Sequence, residues 1–371
     1  MTTQLVRTLE PVLRHGRASW DRALIPDDEY DARLFNVKEM CQQLELDALL
    51  IASDPREPGA ISYLNGYMPT TNSALLLIGP GDRRLLVAGL GGGRDHPHMR
   101  AVSAARDIVF FPDQGRGIAE TLDNWGLYPG RIGLVGVDRS LPEPEADALE
   151  NALRVAGWKL EPSDNVYAEL RRVKRARELR VMRSGYLQLE RCACHAGITL
   201  AETGDIGRAI IGLEAEARAT GFHDFRLLTS YDSEWLEPFT GHRPVSHRGP
   251  VAFYLAGEYL GYWSEFADTF LPGDGTCREE LREELGKIAN RLSPGTVLSD
   301  FGMPFEGASK GVELRRIGAS LDERVADPAI VEGEVVAAVA WMRNGGSLHI
   351  AGEEFLIGKS EARRLAASVR R

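Results

Sequence analysis

A chain of 371 residues exceeds the roughly 250–300 at which one hydrophobic core stops growing, so two domains are expected. With 43% hydrophobic and 26% charged residues it has the composition of an ordinary folded protein, and a net charge of −10 without a strong Lys/Arg cluster argues against a nucleic-acid partner. The longest apolar runs, such as "DALLIAS" and "ALLLIG", are far shorter than the roughly 20 residues of a membrane span, and "MTTQLVRTLEPVLRHGR" lacks a signal-peptide core, so a cytoplasmic protein without a membrane partner is expected.

Leu34, Val37, Met40, Cys41 and Leu44 share one face of a helix over 32–46, which runs into the strand "DALLIAS". "SALLLIG" and "RRLLVAG" flank "PGD", whose residues suit a tight turn, and so form a hairpin. The strand "DIVFF", a helix over "GIAETLDNWG" and the strand "RIGLVG" complete an α/β domain over residues 1–160. The glycine-rich "GLGGGRDHPH" has no Gly-Lys-Ser/Thr after it, so it reads as a loop over a cavity or an interface rather than a phosphate cradle.

From residue 161 the texture changes. "LRRVKRARELRVMRSGYLQLERCACHAGITLAE" keeps helical spacing over several turns, and "DIGRAIIGLEAEARATG" is a second helix ending at Gly221. Strands, turns and one more helix, "REELREELGKIANRLSPG", follow, which makes 161–371 an α+β domain. Cys192, Cys194 and His195 form a Cys-X-Cys-His run within a helix, where neighbours two apart diverge and no second ligand pair follows. These two thiols are read as buried or half-buried structural residues; the other cysteines are Cys41 and Cys277.

Three stretches, "LDALLIASDPREPGAISYLNGY", "VKRARELRVMR" and "VAFYLAGEYLGYWSEFADTFLPG", resemble in order and spacing the creatinase, prolidase, aminopeptidase P and methionine aminopeptidase superfamily. The likeness covers nearly the whole chain. It implies a creatinase-like α/β N-terminal domain followed by an α+β pita-bread domain, and a homodimer.

Metal-dependent members of that superfamily hold two divalent ions with two Asp, a His and two Glu. Carried over by position, the first Asp falls on Tyr254 and the second on Glu265. The His falls on Arg315 in "LRRIGASL". The first Glu falls on Val339, with Ala340 one residue away, and the last on Ala351 or Gly352, with Glu353 and Glu354 displaced. One carboxylate, a phenol, a cation and two apolar residues supply too little negative charge for two dications, so neither metal nor another cofactor is expected.

Creatinase itself works without metal, and "GHRPVSHR" resembles its base-carrying stretch, which implies His242 as general base. An imidazole is the side chain most nearly half-protonated at neutral pH, so it can take a proton from water and return it to a leaving amine. A surface role in a Pro-containing loop is the plain alternative. His247, Arg243 and Arg248 read as loop residues and solvated charge. On the hairpin, creatinase's acidic position falls on Ala267, between Glu265 and Asp268, so a guanidinium clamp is not implied.

Tyr254 offers a phenol donor, or merely fills vacated volume. Arg315 offers a cation to a carboxylate or developing oxyanion, and His349 and Asp268 are the further substrate-binding candidates. The resulting expectation is a metal-independent enzyme that cleaves or rearranges a C–N bond, as hydrolase or lyase, in a small polar, carboxylate-bearing substrate. His242, Glu265 and Tyr254 are its catalytic residues. The alternatives are an inactive pita-bread protein that binds a peptide or protein, and, behind both, a metallopeptidase with unusual ligands.

Overall fold

The chain divides into two units, Met1–Leu170 and Arg171–Arg371. The computed structural model describes residues 20–69, 72–88, 96–239, 247–270, 276–301, 309–321 and 323–367. His242 and the glycine run 89–95 lie outside them.

The first unit runs α1 (Asp27–Gln43), β1 (Ala48–Ser53), α2 (Gly59–Asn65), β2 (Ala74–Ile78), β3 (Arg84–Val87), α3 (His96–Val102), β4 (Ile108–Val109), α4 (Gln114–Asn124), β5 (Arg131–Val135), α5 (Val137–Ser140), α6 (Glu143–Val155) and β6 (Lys159–Pro162), then enters α7 (Asp164–Arg172). Its sheet has the order β4-β3-β2-β1-β5-β6, with β2 antiparallel to both neighbours and the other pairings parallel. β1 lies at the centre of two cores, which is why it is an unbroken apolar run rather than an alternating one. Leu49 and Ile51 pack with Leu34, Val37 and Met40 of α1, while Leu50 and Ala52 pack with Ile118 and Leu122 of α4 and Leu149 and Leu153 of α6. The "PGD" turn between β2 and β3 places Gly81 at φ 67, a conformation glycine adopts without steric cost. Burial of Cys41 against α1's neighbours pushes its thiol up to about 11.

The second unit carries α8 (Ala176–Thr203), α9 (Ile206–Ala219), β7 (Phe222–Ser230), β8 (Val251–Tyr259), β9 (Tyr262–Phe270), α10 (Thr276–Arg291), β10 (Lys310–Arg316), β11 (Val335–Asn344), β12 (Ser347–Ile357) and β13 (Ala362–Arg364). The helical pattern that runs through 170–203 in the sequence is broken into α7 and α8. Arg175 sits extended at ψ 159, its backbone N–H capped by Glu178 Oε2 at 2.9 Å. The buried Lys174 ammonium donates to the carbonyls of Arg171 and Arg172 and pairs with Glu323. These carbonyls at the end of α7 are thereby satisfied by a side chain instead of by a continuing helix.

Two antiparallel sheets, β7-β8-β9 and β10-β11-β12-β13, form the rest. Strand alternation gives each sheet a helix-covered face and an inner face. Val251, Phe253, Leu255 and Phe266 pack against α8 and α9, whereas Val336, Ala338, Ala340, Ala351 and Phe355 pack against α10. The inner faces share one cluster that includes Tyr254, Ala256, Trp263, Ala267, Val339, Leu348 and Ile350. The sheets are tied through β9 and β12: the Glu265 N–H donates to Glu354 Oε1 at 2.7 Å, and the Thr269 hydroxyl donates to Ile350 O at 3.0 Å and accepts its N–H at 2.7 Å. A Cβ on Gly352 would come within 2.9 Å of Ala267 N, so this approach requires glycine.

The cysteine reading needs one correction. Cys192 is buried but Cys194 is exposed, because two steps along α8 carry a side chain to the far side of the axis. His195 Nδ1 sits 2.8 Å from Glu216 Oε2 at the surface, and the described residues contain no group of three or more His, Cys, Asp or Glu suited to a metal. No helix among them is long and apolar enough to cross a membrane.

Candidate active site

The β8–β9 turn sets the register of the site. Leu260 and Gly261 both take positive φ, 52° and 89°, which matches the twist of a two-residue hairpin. Glu258 accepts the Gly261 N–H and fixes the loop. The resulting pairs, Tyr254 with Ala267 and Ala256 with Glu265, place Tyr254 and Glu265 on the same inner face. On the facing sheet Arg315 pairs with Ala337, and Glu313 pairs with Val339.

Tyr254, Glu265 and Arg315 therefore meet. Arg315 Nε lies 3.4 Å from Glu265 Oε1, its guanidinium carbon lies 5.9 Å from the Tyr254 ring centroid, and its Nη2 donates to Glu313 Oε1 at 2.6 Å. The Tyr254 side chain lies beside the buried Glu265 carboxylate on this inner face. Burial, then the nearby carboxylate, raise the phenol well above its ordinary range, so at neutral pH it is a protonated donor. Tyr254 and Arg315 line a cavity of about 590 Å³, with Val339 on its wall and Trp235, Trp341 and Arg343 farther along.

Other sequence candidates are not brought there. Asp268 lies three residues beyond Glu265 on β9, an odd step, and so turns to the opposite face, where Arg278 donates to both its oxygens and Arg282 Nη2 lies 3.3 Å away. It is a corrected assignment: its carboxylate is neutralised by α10 and does not line the cavity. His349 is corrected for the same reason. Leu348 and Ile350 face the cavity, whereas His349 faces away, buried, with no hydrogen-bond partner for Nδ1 among the described residues. Burial lowers its pKa and favours the neutral ring. His247 Nδ1 lies 3.4 Å from Asp232 Oδ2, consistent with a loop residue.

Glu354, read from sequence as a displaced carboxylate, faces inward two residues beyond Gly352. It is wholly buried, and its Oε2 has no hydrogen-bond partner among the described residues. Burial first, and the Glu265 and Glu353 charges among the lesser causes, raise its pKa well above 4.5. A carboxyl raised in the folded state stabilises the fold fully below its unfolded value, and that stability is lost as pH rises through the folded value. Wild-type protein is therefore expected to lose stability relative to Glu354→Gln above about pH 5, with a slope of up to about 1.4 kcal/mol per pH unit. Urea melts of both proteins across pH check this; parallel curves would contradict it.

No protein-family model matches the sequence, and no curated protein matches it. Solved structures do. An X-Pro aminopeptidase from Thermotoga maritima matches with a TM-score of 0.73 at 14% identity, over 91% of this chain and 98% of that one. A prolidase from Pyrococcus horikoshii matches with a TM-score of 0.69 at 17% identity, over 92% and 99%. A dipeptidase from Mycobacterium ulcerans matches with a TM-score of 0.66 at 17% identity, over 91% and 96%. The chain has the pita-bread fold.

The resemblance in sequence implied five ligand positions for a pair of dications in such a fold, and the residues found there do not fit one. Tyr254 keeps its proton, Arg315 places a cation beside Glu265, Val339 is apolar, and Gly352 has no side chain. Of the two residues read for the last position, Ala351 turns outward into the core under α10. Of the five positions only the one at Glu265 offers a carboxylate, and the Arg315 guanidinium beside it opposes any cation that approaches.

Proposed function

We propose that the cavity is the active site of a hydrolase that cleaves a C–N bond of a small polar substrate by proton transfer, without metal. The observation that carries the reading is the Tyr254–Glu265–Arg315 cluster: a buried carboxylate holding a neutral phenol and a cation at a cavity wall. The three solved structures named above are a prolidase, an X-Pro aminopeptidase and a dipeptidase, so scission of an amide-like bond is the reaction class nearest to hand.

In this reading His242 accepts a proton from water as the water oxygen bonds to the carbonyl carbon. The carbonyl electrons move onto oxygen, where the Tyr254 phenol and the Arg315 guanidinium stabilise the charge. The imidazolium then gives its proton to the amine as the C–N bond breaks. Glu265 orients both donors. A lyase route, in which His242 instead removes a proton from carbon, uses the same groups. A homodimer and a cytoplasmic setting belong to the reading through resemblance and composition alone.

His242→Ala is expected to lower turnover about 10²- to 10⁴-fold on the best substrate from a screen of dipeptides, N-acyl amino acids and ureido acids. Unchanged turnover would remove His242 from the mechanism. A second reading, an inactive pita-bread protein that binds a peptide, is favoured by the apolar Val339 and the indoles at the cavity. It predicts peptide binding with no turnover in any arm of the screen.

A further inference from the structure

We propose that the part of the cavity beyond Val339 is a subsite for a bulky apolar side chain of a peptide-like ligand, an aromatic ring fitting best, with Trp235 and Trp341 as its specificity residues. The inference rests on the reading of this cavity as the substrate site, and it adds to a polar scissile group the class of side chain that accompanies it.

Paired strands build the subsite as a ladder. Val339 pairs with Gly352, Trp341 with Ile350 and Arg343 with Leu348, so side chains of β11 and β12 follow one another along the cavity wall. Val339 stands nearest the Tyr254 and Arg315 end. Trp341 is two residues farther along β11, about 7 Å at roughly 3.3 Å per residue, which is within the reach of a phenylalanine side chain. Leu228, Leu236, Leu348 and Ile350 line the cavity as well, so most of the surface that a ligand meets there is apolar. The Trp341 ring is fixed by its neighbour on β10. Gly311 pairs with Trp341, and a Cβ there would come 2.7 Å from the indole Cζ2, so the ring occupies the space a side chain would take.

Trp235 lines the cavity yet remains 56% exposed, so it stands where the cavity opens. The loop that carries it is pinned. The Ser233 carbonyl accepts the Leu348 N–H at 3.0 Å and the Ser230 hydroxyl at 2.7 Å, and the Trp235 N–H donates to Ser233 Oγ at 3.1 Å. Thr229 and Glu237 close the loop with two backbone bonds of 2.8 Å. An indole left in water on a fixed loop is apolar surface that a ligand's ring can cover.

The two indoles share a brace. The Arg343 guanidinium carbon lies 4.1 Å from the Trp235 ring centroid and 5.0 Å from that of Trp341, which holds both rings in place before a ligand arrives and lowers the ordering cost of binding. The charged residues of the lining are Glu234 and Glu313 against Arg315 and Arg343, two of each sign, so charge does not select an ionised side chain over an apolar one.

The test uses the full chain, isothermal titration calorimetry and three uncharged probes. N-acetylalanylalaninamide is the small reference; N-acetylphenylalanylalaninamide and N-acetylalanylphenylalaninamide carry a phenyl ring on one side or the other of the central amide. At least one phenyl probe is expected to bind about tenfold or more tighter than the reference, and which one gains identifies the side of the bond that the subsite serves. That gain persists at high salt and comes with a more negative heat-capacity change, as apolar burial requires. In Trp235→Ala, a change at an exposed residue, the gain falls about threefold or more while affinity for the reference is kept, and Trp235→Phe restores most of it. Gly311→Ala, which displaces the Trp341 indole without altering a residue of the lining, lowers the gain as well.

Equal binding of all three probes, no binding of any, or a gain undiminished in Trp235→Ala would overturn the subsite. A phenyl gain in a protein that turns over nothing would leave the subsite standing and remove the hydrolase reading, so the two fail separately.

Discussion

Replacing Glu265 with Gln is expected to lower turnover about 10²- to 10³-fold while the protein still folds. The amide has the size of the carboxylate it replaces, so the strand keeps its packing, and Arg315 keeps Glu313. What is lost is charge. Without the carboxylate, Arg315 loses its anchor on β9 while Glu313 still draws it, and neither donor remains fixed where an oxyanion develops. The expected pattern is a fall in kcat larger than any rise in KM, because the donors act on the charge that appears during reaction rather than on the ground state. A Glu265→Gln protein with wild-type kcat would show that the cluster is a structural filling of the fold and not a reacting centre.

The second large effect is on stability. Gly352→Val is expected to cost about 3 kcal/mol or more in urea-induced unfolding. A Cβ at this position already meets Ala267 N and Cβ at 2.9 Å, and both belong to the strand that carries Glu265. Valine adds two methyl groups to that overlap, so β9 and β12 must separate. Their separation strains the bond from the Glu265 N–H to Glu354 and the paired bonds of Thr269 with Ile350. Activity should fall with stability, since the same displacement moves Glu265 relative to Arg315. A Gly352→Val protein as stable as wild type would mean that the two sheets are not held as closely as these contacts require.

How far the sequence carried the site follows from strand parity. Tyr254 and Glu265 are eleven residues apart across a two-residue turn, and a hairpin with that turn returns both to one face. Their meeting was therefore readable from the hairpin alone. Arg315 and Val339 followed from resemblance, and each faces the cavity. Asp268 and His349 failed on the same rule that placed Glu265. Each is an odd number of residues from an inward-facing neighbour, so the pleat turns it into the helix-covered side.

The rule also held the signal for what was missed. Glu313 lies two residues before Arg315, Trp341 and Arg343 lie two and four after Val339, and Glu354 lies two after Gly352. Each shares the inner face of its strand. Trp235 gave no such signal, because it sits in a loop and reaches Arg343 only through tertiary folding. In the first unit the apolar runs disclosed the sheet, since a strand buried on both faces needs no other pattern. The interruption between α7 and α8 was hidden, because the Lys174 ammonium that ends α7 depends on Glu323, far away in sequence.

At the positions where the resemblance implies ligands for a pair of dications, the pocket carries a phenol, a guanidinium and one carboxylate. Metal analysis of the purified protein by mass spectrometry, combined with turnover after dialysis against chelator, addresses this most directly. The account predicts no stoichiometric metal and undiminished activity. A pair of divalent ions per chain, lost together with activity in Glu265→Gln, would contradict it.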